Sequence, residues 1–368
     1  MKIETMIYAY IAICVSMILY NIIYVFVLNH RERALASDSK KLEIILNEQI
    51  EILKNGGVIS EKHKKFLCRE LDKTSGITAF DKALEVVFNT EPDYTEKYLL
   101  ETFSVFETLT HRYISKDTLK IAYFPYILHK FNILNHCNSE KLTDVLLDLL
   151  RSVNVYCREN TLKALYSMRK PAVVRKALKV IDTNISFHHP KLITDGLMFY
   201  KDDKEELKET LFSYFKDYSV QMRVNILNYF RFSNIKCDDK MLEILNNETE
   251  NNEVRFSAIR YFEKFPSPEA KPILWNLAEN LENRSWEYQA IATSALKSYP
   301  GDTTYRILVK NLSSSNWYVR QNSAVSCEKL GYTYQDLISV FDGNDRYARE
   351  IIRYRLDRRN KSEEAVKA

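Results

Sequence analysis

Glycine is what this sequence lacks most: 7 of 368 residues, or about 2% where about 7% is usual. A fold of many tight turns, or a glycine-rich loop around phosphate, needs more, so the scarcity favours helices. Paired cysteines are missing too. Cys14, Cys68, Cys137, Cys157, Cys237 and Cys327 are scattered without a C-x-x-C, which gives no zinc or disulfide framework and suits a reducing compartment. Nor is charge of one sign concentrated: 53 Lys+Arg against 49 Asp+Glu leave +4, well short of a nucleic-acid binder. No P-loop, G-x-G-x-x-G, H-E-x-x-H or G-x-S-x-G occurs, and strand-like alternation is nowhere sustained. His188-His189 beside Pro190 and the pairs Asp202-Asp203 and Asp238-Asp239 stand where helices begin, and read as turn and capping residues. These absences lead to the expectation of no catalytic residues, no metal, no cofactor and no enzyme.

One long hydrophobic run is present. Met6 to Leu28 carries no charge and one strongly polar residue, Asn21. As a helix it is about 34 Å long, enough to cross a bilayer with slight tilt. Tyr8, Tyr10, Tyr20 and Tyr24 lie towards its ends, where amphipathic rings favour the headgroup level. Ala34-Leu35-Ala36 resembles a signal-peptide cleavage site, but the run is long for a signal and Arg31-Glu32-Arg33 intervenes. Only Lys2, offset by Glu4, precedes the run, whereas Arg31, Arg33, Lys40 and Lys41 follow it. The positive-inside rule therefore predicts a single-pass cell-membrane protein with its N-terminus outside and its bulk in the cytoplasm.

After the run, Ser37-Asp38-Ser39 offers caps for a new helix that Asn55-Gly56-Gly57 would end. Helical stretches are predicted around 60–73, 79–89, 94–114 and 117–134. From about 141 the chain repeats itself. Arg158, Pro190, Arg223, Arg255, Gln289 and Arg320 hold one register position, with a weaker copy at Arg349, at intervals of about 29 to 34 residues. Seven residues further on stand Leu165, Leu197, Phe230, Phe262, Leu296 and Cys327, two turns down one face. Each register helix follows a partner helix, and two helices per repeat make an α-solenoid whose neighbours stack to bury their apolar faces. The predicted fold is all-α: a single N-terminal transmembrane helix, then an α-solenoid. Its parts are an anchor over 1–29 (span about 6–28), a juxtamembrane helix and irregular helical repeats over 30–140, regular repeats over 141–360, and a polar tail over 361–368.

The pattern E/Y-V-R-x-x-A before an apolar run, as in 252–265 and 317–330, resembles HEAT repeats over roughly 141–359. Pro190 and Gln289 depart from it, so stacking is expected to be irregular there. More finely, AYFPYIL (122–128), NVYCREN (154–160), NWYVRQNSA (316–324) and DRYARE (345–350) resemble membrane-anchored HEAT-repeat proteins of Gram-positive bacteria. That resemblance implies association with a membrane family 2 glycosyltransferase that makes and exports surface polysaccharide.

The residues singled out for partner binding are Tyr156, Arg158, Arg255, Trp286, Tyr288, Trp317, Tyr318, Arg320, Arg346, Arg349 and Arg353. Each has a plainer reading. The register arginines, Arg158, Arg223, Arg255 and Arg320, suit a stacking ladder that bonds carbonyls, as well as a cationic stripe. Trp286 and Trp317 with Tyr288 and Tyr318 suit packing between repeats, or an anchor of the Trp, Tyr and Arg type found at binding hot spots. The basic stretch 346–361 suits a solvated capping helix, or contact with anionic lipid or an acidic partner. The function expected is a non-catalytic membrane-tethered scaffold or regulatory subunit. The alternatives are a HEAT-like enzyme such as a DNA glycosylase or bilin lyase, and a general interaction platform.

Overall fold

The computed structural model describes residues 3–113, 118–135, 139–280 and 285–367; Cys137 lies outside them. Among the described residues the chain is all-α, with no strand. It divides into two compact units, residues 1–187 with 199–201, and residues 188–198 with 202–368.

The first unit contains α1 (Ile3–Lys54), α2 (Glu61–Leu71), α3 (Thr74–Thr90), α4 (Pro92–Glu101), α5 (Phe103–Tyr113), α6 (Thr118–Lys130), α7 (Glu140–Leu149), α8 (Val155–Ser167) and α9 (Pro171–Asp182). Helix α1 corrects one expectation. The apolar run and the juxtamembrane helix are one unbroken helix of 52 residues, because 29–54 contains neither Pro nor Gly. Ser37 and Ser39 are therefore interior positions, not caps. The predicted stop is where it was expected. Gly56 takes φ +76°, and the Gly57 and Gly56 N–H groups donate to the Ile52 and Leu53 carbonyls at 2.9 and 3.2 Å, the paired closure that a left-handed glycine permits.

The two halves of α1 differ in surroundings. Leu42, Leu46, Ile50 and Leu53 are buried against α3 and α4. From Tyr10 to Phe26 the large apolar side chains stand exposed on every side, and none of that stretch is covered by protein. Its polar side chains satisfy themselves: Asn21 Nδ2 donates to the Met17 carbonyl at 2.9 Å and Ser16 Oγ to Ile13 at 2.8 Å. Such back-bonding is what polar groups need in hydrocarbon. By length and composition this helix could cross a membrane.

The helix expected over 94–114 breaks at Thr102 into α4 and α5. In α6, Pro125 lies inside the helix and leaves the Ile121 carbonyl without its intrahelical donor. The Cys157 thiol of α8 donates to that oxygen at 3.7 Å, and Asn160 Nδ2 bonds the neighbouring Ala122 carbonyl at 2.9 Å. The motifs AYFPYIL and NVYCREN thus complete each other across the α6–α8 interface.

The second unit contains α10 (Pro190–Leu197), α11 (Lys204–Ser213), α12 (Val220–Phe232), α13 (Asp238–Asn246), α14 (Asn252–Lys264), α15 (Ala270–Glu279), α16 (Trp286–Ala295), α17 (Asp302–Leu312), α18 (Trp317–Lys329), the short α19 (Ile338–Phe341) and α20 (Arg346–Lys367). The register helices α10, α12, α14, α16, α18 and α20 each pack on the next, and α13, α15 and α17 pack on the register helix that follows them. Alternate elements stack because each register helix carries its apolar residue seven positions on: Leu197, Phe230, Phe262, Leu296 and Cys327 are all buried. At the departures from the register, α10 still packs on α12 and α16 on α14 and α18, but α11, unlike α13, α15 and α17, makes no comparable contact with the register helix after it, so the pairing is irregular near Pro190. Pro190 opens α10, which His189 caps. Gln289 donates to Asn311, itself bonded to Thr293 Oγ1 and the Ala278 carbonyl. At the end of the chain, α20 runs on through most of the stretch expected as a polar tail.

Candidate functional site

One five-residue pattern, cap–x–Tyr–apolar–Arg, builds the surface that sequence reasoning singled out. Asn154, Asn316 and Asp345 cap α8, α18 and α20 by accepting the N–H groups two and three residues on. Four residues after each cap comes the register arginine, which turns back onto the loop before its helix. Arg158 Nη1 donates to the Ser152 and Val153 carbonyls at 2.8 and 2.9 Å, and its Nη2 to Phe187 at 2.6 Å. Arg320 does the same with Ser314 and Ser315 at 2.6 and 3.2 Å, and Arg349 with Gly343. Cap and clamp together lock the helix start. The tyrosine two residues before the arginine is then left pointing outward: Tyr318 is 55% and Tyr347 67% exposed, and Tyr156 is equally bare.

In the second unit these tyrosines form a strip across three stacked helices. Tyr318 stacks on Trp286 of α16, with ring centroids 5.2 Å apart and planes at 18°. Trp317 meets Tyr318 edge-on at 5.1 Å. Arg320, a turn beyond Trp317, lies 5.4 Å from the Tyr347 ring of α20. Trp286 and Trp317 are about half exposed. Trp, Tyr and Arg are the residue types enriched at protein-binding hot spots.

Other candidates lie elsewhere. Arg158 and Arg255 are 2% and 4% exposed, and Tyr288 is buried; this corrects their reading as contact residues. Burial also pulls the Arg158 guanidinium below its ordinary value. Arg255 donates twice to the Leu245 carbonyl, at 3.0 and 3.3 Å, and once to the Tyr288 hydroxyl at 3.2 Å. Tyr288 in turn donates to Asn252 at 2.8 Å. The pair therefore joins α14 to α16 from within. In α20, Arg346 pairs with Glu350 at 2.6 Å, while Arg355 and Arg358 converge on Glu328. Arg353 lies 5.9 Å from the Phe341 ring. Much of the basic stretch is thus tied to its own unit.

Sequence reasoning missed a second exposed apolar group, in the first unit. Val153, Ile185 and Phe187 stand bare beside Tyr156, gathered where Arg158 bonds the Val153 and Phe187 carbonyls. The available signal was apolar side chains in segments otherwise made of turn residues (Ser152, Asn154, Asn184, Ser186). Among the described residues, no group of three or more His, Cys, Asp or Glu could hold a metal ion.

No protein-family model and no curated protein matches this chain. Among solved structures, human deoxyhypusine hydroxylase in complex with glycerol is similar at TM-score 0.27 and 15% identity, covering 81% of this chain and 96% of that one. An engineered protein is similar at TM-score 0.32 and 14% identity, covering 87% and 95%. Likenesses this loose assign no activity. The first does correct the expectation that the chain is no enzyme: the hydroxylase is an enzyme, so missing motifs do not exclude catalysis.

Proposed function

We propose that the chain is a membrane-tethered protein-binding subunit. In this reading α1 crosses the bilayer through residues 6–28 with its N-terminus outside, and the helix pairs form a HEAT-like solenoid on the cytoplasmic side. The strip Trp286–Trp317–Tyr318–Arg320–Tyr347 holds the soluble part of a membrane protein. The observation that carries the reading is that strip: exposed rings whose positions are set by helix caps and arginine clamps. Tethering raises effective concentration, so a modest contact area would suffice. The partner proposed, a family 2 glycosyltransferase, rests on the sequence resemblance alone.

The test is purification of the full-length chain from native membranes in mild detergent, with its stoichiometric partners identified. A polytopic glycosyltransferase should co-purify with the native chain. It should be lost from Trp317→Ala/Tyr318→Ala, whose melting temperature should stay unchanged. Recovery of the chain alone, or with nucleic acid, overturns the proposal.

A further inference from the structure

Two loops of the first unit present apolar side chains outward while their backbone is satisfied from within. Val153, just before α8, is 87% exposed, Ile185, in the loop after α9, is fully exposed, and Tyr156 is exposed beside them. The loops are bound to each other. Asn184 Nδ2 donates to the Leu150 carbonyl at 2.9 Å, and Arg158 donates to the Ser152, Val153 and Phe187 carbonyls. The Asn154 and Ser186 N–H groups donate to Ser152 Oγ and Asn184 Oδ1. Loops held this way can take their apolar tips out of water without stranding those backbone groups, which is the condition that lipid imposes.

The tips stand on the edge of the unit from which the apolar run of α1 arrives. Lys54, at the end of α1, bonds Glu91, just past the end of α3, and the two helices pack together, so they run the same way. Tyr123 of α6 bonds Asp81 in the first half of α3, and the Phe88 and Phe131 rings meet near the far ends. Between α6 and α8, Cys157 reaches the Ile121 carbonyl near the starts, while His129 and Lys163 both lie against the Phe199 ring further on. Helices α1, α3, α6 and α8 are therefore parallel neighbours. Counted back from Lys54, the start of α3 is level with about residue 38 of α1, about 15 Å beyond Leu28. The starts of α6 and α8 stand at about the same level. Three helix-to-helix steps of about 9 Å set α8 about 27 Å to the side of α1. At that distance an ordinary tilt of about 20° lowers the edge by about 9 Å. The gap that remains is about 6 Å, the depth of the headgroup layer.

We propose that the loops carrying Val153, Tyr156 and Ile185 dip into the headgroup layer of the bilayer that α1 crosses, so that the first unit meets the membrane at a second place and sets the tilt of its own span. A tyrosine at headgroup level with aliphatic tips towards the acyl boundary is the chemistry of an interfacial contact. The three side chains are uncharged, so the contact needs no anionic lipid. The inference rests on α1 being a membrane span.

The test uses the full-length chain in phosphatidylcholine nanodiscs that contain lipid with a nitroxide on its headgroup. A fluorescent unnatural amino acid is placed at Ile185 or, as reference, at Asn89, exposed near the end of α3 on the opposite edge. Fluorescence at 185 should be quenched about fivefold more strongly than at 89. Val153→Asp/Tyr156→Asp should bring position 185 to the reference value; should that variant misfold, Val153→Ser/Tyr156→Ser should lower the quenching about twofold. Equal quenching at both positions in discs that the chain has entered overturns this inference and leaves the span standing. Failure to enter the discs overturns the span reading and this inference with it. Quenching at 185 that appears only when a co-purified membrane protein is added to the discs assigns the loops to a protein contact and overturns the lipid contact.

Discussion

Within the cap–x–Tyr–apolar–Arg pattern, two residues of similar binding character meet opposite fates. The arginine is spent on loop carbonyls, and the tyrosine two places before it is exposed. Arg255, the buried register arginine of α14, where Glu253 replaces the tyrosine, offers a test. Arg255→Ala leaves the buried Leu245 carbonyl unpaired and takes from the Tyr288 hydroxyl one of its two partners, a cost of about 2–4 kcal/mol. In a unit of this size the melting temperature should fall by about 5–15 °C. Arg255→Lys should rescue only in part, because one ammonium cannot reproduce the planar fork. His129 provides a pH test. Burial, with Lys163 and Lys201 nearby, pulls it from 6.5 to about 4. The folded state then resists a proton that the unfolded chain accepts. Its contribution is complete above pH 6.5 and is lost as pH falls towards 4, by no more than about 3 kcal/mol. His129→Leu should flatten that limb of the stability profile, measured as melting temperature against pH. An unchanged limb would remove His129 as its source.

At the scale of elements, the continuity of α1 matters most. A break near 37–39 would have left the apolar run free to swivel. One helix from Ile3 to Lys54 ties it to the packing of Leu42–Leu53 against α3 and α4. Nitroxides at 31 and 48 should report a narrow distance distribution near about 26 Å. Ser37→Pro should broaden and shorten it, since an interior proline costs about 3 kcal/mol and kinks the helix. A second element-level dependence joins α6 to α8. Pro125 frees the Ile121 carbonyl, which the Cys157 thiol helps to satisfy, while Asn160 bonds the adjoining Ala122 carbonyl. Asn160→Ala should cost about 1 kcal/mol, and Cys157→Ala should cost less in a Pro125→Ala background, where the residue-125 N–H supplies the donor to Ile121.

For the whole molecule, the span proposed for the apolar half of α1 predicts where the rest resides. The full-length chain should stay with the membrane through an alkaline carbonate wash, while a chain lacking residues 1–29 should be released. Release of the full-length chain would end the tether reading. The two units divide the candidate surfaces between them. The aromatic strip belongs to the second unit, while the bare cluster at Val153, Ile185 and Phe187 belongs to the first.

Much of this was legible in the chain because it is periodic or local. Scarce glycine, one long apolar run, an Asn-Gly-Gly stop and a register near 32 residues gave the helices and their pairing, since helix formation and face selection depend on residues a few places apart. Tertiary structure alone decided which register residues are walls and which are surface. Arg255 and Tyr288 are of the same residue types as Arg320 and Tyr318, yet the first two meet inside the α14–α16 contact, whereas Arg320 turns onto its own loop and Tyr318 stands exposed. Exposure depends on what the neighbouring helix places opposite, about 30 residues away.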